Sequence, residues 1–222
     1  MSAFPGYAPE HRSPVLADLI APSRVRSLND FLLNALMVLG GVGFVALLAQ
    51  ITIPTVPVPV TAQTLGVIVV GSALGASRGS ISLALYVLLG FFLPIYADGA
   101  SGTVAEIGSA AGATGGYLIG FIFAAGLVGW LSERGDDRRI ITALGAYVLG
   151  LLVIFAFGLV GLKLAAPALV EANFMANSSW STVIEDGFIF FIGWEILKAL
   201  VAALLMPAAW KVAQYRDSRE AD

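Results

Sequence analysis

Residues 133–166 read ERGDDRRIITALGAYVLGLLVIFAFGLVGLKLAA. Every one of the first seven except Gly135 is charged, whereas the run from Ile140 to Ala166 carries one charge, Lys163. An apolar run of that length exceeds an ordinary core helix. It fits a bilayer hydrocarbon layer about 30 Å thick, which roughly 20 helical residues cross. The charged turn before it marks where the chain leaves the membrane.

Working outward, the same alternation recurs along the 222 residues, of which 12% are charged and 58% hydrophobic. A water-soluble domain carries about a quarter charged residues. The pattern therefore predicts an all-α integral membrane protein with about six transmembrane helices in a compact bundle. Spans are expected at Phe31–Ile53, Thr61–Ser77, Ser80–Ile95, Ala113–Leu131, Ile140–Ala166 and Gly187–Ala209. A turn at Arg78-Gly79 separates the second and third, which look short. Residues 1–30 read as a leader, 31–210 as the membrane domain and 211–222 as a charged tail. In the leader, Val15, Leu16, Leu19 and Ile20 form an apolar patch suited to a membrane surface or a loosely ordered tail. A polar connection is expected over Pro167–Asp186, and a glycine-rich one over Tyr96–Gly112.

Basic residues orient the bundle. Arg12, Arg24, Arg26, Arg78, Arg134, Arg138, Arg139, Lys211, Arg216 and Arg219 share one side if six helices alternate. Lysine and arginine near span ends are retained in the cytoplasm, so both termini are expected there, in a multi-pass protein of the cytoplasmic membrane. The proline loop Pro54–Val60, the glycine loop and the 167–186 connection then share the outer face. Small residues at Gly112, Gly116, Gly120 and Ala124 fall on one ridge of the fourth span and suit close helix packing within the protein.

Several functions are excluded. Cysteine is absent, and His11 is the single histidine, so neither a thiolate nor a His-cluster metal site is expected. No basic patch interleaved with aromatics points to nucleic acid. No P-loop ends in Lys-Ser/Thr, so the chain alone is not expected to hydrolyse ATP. Ser77 and Ser101 sit in serine-enzyme look-alikes, Gly75-Ala76-Ser77-Arg78-Gly79 and Gly99-Ala100-Ser101-Gly102, but neither has a base. No catalytic residue and no cofactor are expected.

The residues that suggest chemistry begin with Glu195 and Lys198, three apart on one face of the last span. An ionised side chain at the centre of a membrane helix costs about 2.5–3.5 kcal/mol, which makes an ion pair there a functional candidate. The pair either neutralises itself or holds a ligand bearing donors and acceptors. Gln63 follows the proline loop and offers an amide that both donates and accepts. Tyr86 and Tyr117 lie inside the third and fourth spans, where a hydroxyl meets either protein or ligand. Thr114-Gly115-Gly116 opens the fourth span with free N–H groups suited to a carboxylate.

The motifs together resemble a known family. Val56-Pro57-Val58-Pro59-Val60-Thr61-Ala62-Gln63-Thr64-Leu65 is the most specific. It is followed by Leu93-Pro94-Ile95-Tyr96-Ala97 with Gly99-Ala100-Ser101-Gly102, then Gly112-Ala113-Thr114-Gly115-Gly116-Tyr117-Leu118, and Glu195 with Lys198. In that order, over residues 31–210, they are similar to the BioY family, the biotin-specific substrate-binding subunits of energy-coupling-factor transporters. The resemblance implies capture of biotin near the outer face. It also implies a transmembrane coupling protein and two ATPase subunits as partners, in addition to the lipid bilayer. Carried over, Gln63, Tyr86, Ser101, Tyr117, Glu195 and Lys198 would line the pocket. The chain departs from the family at Glu195, where Asp is usual, and has no Arg in its glycine loop. Lys198 and the Thr114-Gly115-Gly116 amides are then the candidates for the biotin carboxylate. The alternatives are a subunit for another vitamin and a stand-alone proton-coupled carrier using Glu195.

Overall fold

A computed structural model describes residues 13–20, 30–102 and 112–220. His11, much of the leader and residues 103–111 of the glycine loop lie outside the described residues. The helices are α1 (Leu16–Ile20), α2 (Asp30–Ala49), α3 (Gln63–Gly90), α4 (Gly115–Ser132), α5 (Ile140–Glu171), α6 (Trp180–Gly187) and α7 (Ile192–Glu220). Two short antiparallel strands, β1 (Thr52–Ile53) and β2 (Val60–Thr61), pin the base of the proline loop.

Five helical segments are long and apolar enough to cross a bilayer: Phe31–Ala49, Gln63–Gly90, Gly115–Ser132, Ile140–Glu171 and Trp180–Tyr215. The sixth expected span is folded into α3. Its backbone breaks at Gly75, with φ +83° and ψ 177°. A Cβ on Gly79 would lie 3.0 Å from the Cα of Gly71, and Gln63 Nε2 donates to Tyr86 Oη at 2.7 Å. Residues eight and 23 apart meet only if the helix doubles back, so α3 is a hairpin of two antiparallel arms, 63–74 and 76–90.

The turn thus falls at Gly75, not at the expected Arg78-Gly79. Gly75 takes a left-handed backbone that other residues adopt at a steric cost. Glu133 Oε1 then accepts the N–H of Ala76, at the start of the second arm, at 2.9 Å. Arg78 stays helical, and its guanidinium pairs with Asp18 at 2.7 Å. The second arm ends at Gly90 rather than Ile95. There Tyr96 folds beneath the helix end and donates its hydroxyl to the Val87 carbonyl at 2.5 Å.

Two further boundaries differ from expectation. α5 continues through Pro167 to Glu171, and the connection read as polar contains α6, capped by the Ser179 hydroxyl. Lys163 ties α6 to α5 by donating to the Ser178 carbonyl and lying over the Trp180 ring. The leader patch forms α1, which packs on α3 and α7 rather than lying free, with Val15 and Leu16 buried.

α4 is the central post, packed on both α3 and α5. Its small-residue ridge serves packing within the chain: a Cβ on Gly116 would lie 2.8 Å from Gly161 Cα, and one on Gly120 3.0 Å from Ile154 Cα. Such contact gains dispersion energy where lipid offers no hydrophobic drive.

On the arginine-bearing face, one buried carboxylate joins four elements. Asp137 Oδ2 accepts Trp210 Nε1 of α7 at 2.7 Å and Ser72 Oγ of α3 at 3.2 Å. Ser72 in turn accepts from Ser132 of α4 at 2.9 Å and lies 3.2 Å from the Tyr147 hydroxyl of α5. Burial pushes the Asp137 carboxyl above its ordinary value, against the lowering effect of the Trp210 and Ser72 hydrogen bonds and of Arg138. A carboxyl raised in this way contributes stability at low pH. That contribution is lost as pH climbs from the usual aspartate range through the raised value.

Two outcomes follow. Gly116→Leu should force α4 from α5 and remove the protein from the membrane fraction of expressing cells; normal levels of a monodisperse variant would contradict that contact. In detergent, the melting temperature should fall as pH rises through the Asp137 window, and Asp137→Asn should flatten the slope. An unchanged slope would place its source elsewhere.

Candidate binding site

On the face opposite the arginines, the helix ends enclose a cavity of about 230 Å³. Its roof is the proline loop, through Pro57, Val58 and Pro59. Its polar side comes from β2, α3 and α7, through Thr61, Gln63, Thr64, Glu195 and Lys198. Its apolar wall comes from α4, α5 and the helical turn just before α7, with Phe121, Ile154, Phe155 and Phe191. The Tyr117 and Phe155 rings meet edge to face, with centroids 6.0 Å apart. A ligand with a polar end and an apolar body fits such a lining.

The ion pair defines the polar side. Lys198 Nζ donates to Glu195 Oε1 at 2.6 Å, to the Thr61 carbonyl at 2.6 Å and to Thr64 Oγ1 at 3.0 Å. Glu195 is 5% exposed, and its second oxygen, Oε2, is buried without a hydrogen-bond partner among the described residues. An unsatisfied buried carboxylate oxygen costs free energy that a donor brought by a ligand would recover. Glu195 is also part of the wall behind the cavity. On the far side lies an apolar groove of about 320 Å³ whose edges, Val148, Leu152, Ile196 and Leu200, face the membrane.

The polar network continues behind the pair. Thr61 Oγ1 donates to Gln63 Oε1 at 3.0 Å, and Gln63 Nε2 donates to Tyr86 Oη, which donates to the Ile95 carbonyl at 3.1 Å. One N–H of Gln63 is left for a ligand. Tyr86 is fully buried and holds Gln63 from behind without reaching the cavity. Tyr117 lines the cavity with its ring alone, because its hydroxyl donates to the Gly187 carbonyl at 2.7 Å. Ser101 is exposed and lies outside the lining, to which its neighbour Ala100 contributes.

Thr114, just before α4, also contributes to the lining. Of Thr114-Gly115-Gly116 only Thr114 belongs to the lining, and the Gly115 N–H is taken by the Gly112 carbonyl at 2.9 Å. Sequence reading assigned no role to Phe155, Phe191 or Thr64. The two phenylalanines look like any residue of an apolar span. Thr64 lay inside the most specific motif, and its place in the first turn of α3 beside Gln63 was the available signal. Among the described residues, no group of three His, Cys, Asp or Glu side chains is placed to hold a metal.

Comparison with known proteins agrees with this architecture. The chain is similar to the biotin transporter BioY of Rhizobium etli, at 35% identity over 81% of this chain and 91% of that one. It is also similar to the biotin transporter BioY of Thermotoga maritima, at 35% identity over 71% and 83%. Among solved structures, its fold matches a crystal structure of the S-component for biotin from an ECF-type ABC transporter. The TM-score is 0.66 and the identity 21%, covering 83% of this chain and 94% of that one. The BioY family model matches residues 21–215, so the chain belongs to the BioY family.

Proposed function

We propose that this membrane protein captures biotin in the outer-face cavity and serves as the substrate-binding subunit of an energy-coupling-factor transporter. A transmembrane coupling protein and two ATPase subunits would supply the energy for release inside. The observation that carries the ligand assignment is Glu195, which lines the cavity beside Lys198 and whose Oε2 is buried without a partner among the described residues. The biotin ureido ring brings two N–H donors and a carbonyl, so it supplies what that oxygen lacks. Gln63 offers a further N–H to the ring carbonyl, and the aromatic wall of Tyr117, Phe155 and Phe191 packs the apolar body.

The carboxylate end lies toward Thr114 in this reading, beside the positive end of the α4 dipole. Glu195 and Lys198 then act as one polar unit at the opposite end. A stand-alone proton-coupled carrier gains no comparable support, because Lys198 already holds Glu195 in an ion pair.

Equilibrium binding with detergent-purified protein tests the assignment. Biotin should bind, desthiobiotin should compete well, and biotin methyl ester should compete less. Glu195→Gln should weaken biotin binding by about tenfold or more, the cost of a charge-assisted hydrogen bond. Competition by thiamine or riboflavin as strong as by unlabelled biotin would overturn the ligand assignment.

A further inference from the structure

The groove between α5 and α7 has a buried base, which includes Leu151, Phe155 and Ala199, and exposed edges that face the membrane. Apart from Glu195, every residue that lines it is apolar. Water is held only where a site offers it two or more polar partners, and an unfilled apolar void forfeits dispersion contacts. On α5 the lining runs from Leu144 to Phe155, about 6–22 Å from the arginine-bearing end of that helix at 1.5 Å per residue. A hydrocarbon layer about 30 Å thick contains all of it.

We propose that one acyl chain of an anionic inner-leaflet phospholipid fills this groove and backs the wall of the outer cavity. Charge at the inner mouth selects the lipid. Lys211 follows Leu200 by eleven residues, three turns along the same ridge of α7 and about 16 Å nearer the inner face. Arg139 immediately precedes α5, and both side chains are exposed. Basic residues between membrane helices on this side suit a lipid phosphate.

Phe155 and Glu195 line the groove and the cavity alike. The Phe155 ring meets Phe188, which lines the groove, at 5.0 Å between centroids, and Tyr117, which lines the cavity, at 6.0 Å. At that point the partition is one aromatic ring thick. A chain in the groove supplies contact atoms to one side of Phe155 and holds the ring against the cargo. This effect on cargo rests on the biotin reading above, whereas the lipid site does not.

The experiment places the protein in phosphatidylcholine nanodiscs with a minor fraction of phosphatidylglycerol that carries a photoactivatable group in mid-chain. After illumination, label should concentrate on residues 144–155 and 192–200. Val148→Trp fills the groove from its edge and should cut that labelling several-fold. Leu164→Trp, at an exposed α5 position outside the groove, should leave it unchanged. Leu152→Trp repeats the test if Val148→Trp fails to fold. Lys211→Gln should reduce labelling by phosphatidylglycerol but not by phosphatidylcholine bearing the same chain. In detergent, exhaustive delipidation should weaken biotin binding several-fold, and added phosphatidylglycerol should restore it.

Label spread evenly over the exposed helix faces, which marks boundary lipid only, would overturn the site. So would labelling unchanged by both groove-filling variants, or cross-links that join two copies through the groove. Biotin affinity indifferent to lipid would overturn the effect on cargo. If wild type binds no biotin in either state, the ligand reading fails, and the labelling map still decides the lipid site.

Discussion

An ammonium sunk below the surface of a membrane protein needs acceptors for its charge and its three donors, and the outer half of this molecule is arranged around that need. Lys198 is supplied by a carboxylate on its own helix, a carbonyl of β2 and a hydroxyl in the first turn of α3. Each acceptor fixes something else. The Thr61 carbonyl brings β2, and with it the proline loop, down onto α7. Thr64 holds the start of the hairpin that makes up α3. Glu195 is held beside the cavity with one oxygen lacking a partner among the described residues. A buried pair of this kind is weak evidence for stability but strong evidence for a fixed geometry.

The opposite face uses a different device. Asp137 gathers Trp210, Ser72 and, through Ser72, Ser132 and Tyr147. It joins four membrane helices without an ion pair through its own carboxylate among the described residues. α7 thus carries a polar anchor near each end, Lys198 outside and Trp210 inside, with Pro207 between them. The chain between the anchors is held by apolar packing alone, including Ala199, Ala202 and Ala203.

The spans were legible because apolar runs and basic turns are properties of composition, and the lipid reads composition. The hairpin turn was placed three residues late. A left-handed glycine sealed by Glu133 depends on a contact 57 residues away, whereas Arg78-Gly79 merely looks like a loop. α6 was missed because a short amphipathic helix amid serines and asparagines has too few apolar residues to stand out. In the site, polar side chains in apolar helices announced themselves. Gln63, Glu195 and Lys198 converge on one cavity, with the Tyr117 ring beside them. Tyr86 was drawn to the same place but stands one layer behind, and Ser101 lies outside the lining. Which member of a hydrogen-bonded chain meets the ligand depends on three-dimensional order that spacing does not encode.

The two arms of α3 are about 18 and 22 Å long at 1.5 Å per residue, short of a hydrocarbon layer about 30 Å thick. The loops that close them therefore sit at membrane depth, below the headgroups, where irregular backbone is tolerated only against protein or around a cavity. The floor of the binding site is accordingly screened less than a surface cleft would be. Glu195 has the outer cavity on one side and a lipid-facing apolar groove on the other. With few mobile dipoles around it, its attraction for an N–H donor is amplified, and so is the energy needed to part them. On the proposed binding mode, unloading then takes more than widening the mouth of the cavity: water would have to be let in to solvate that carboxylate.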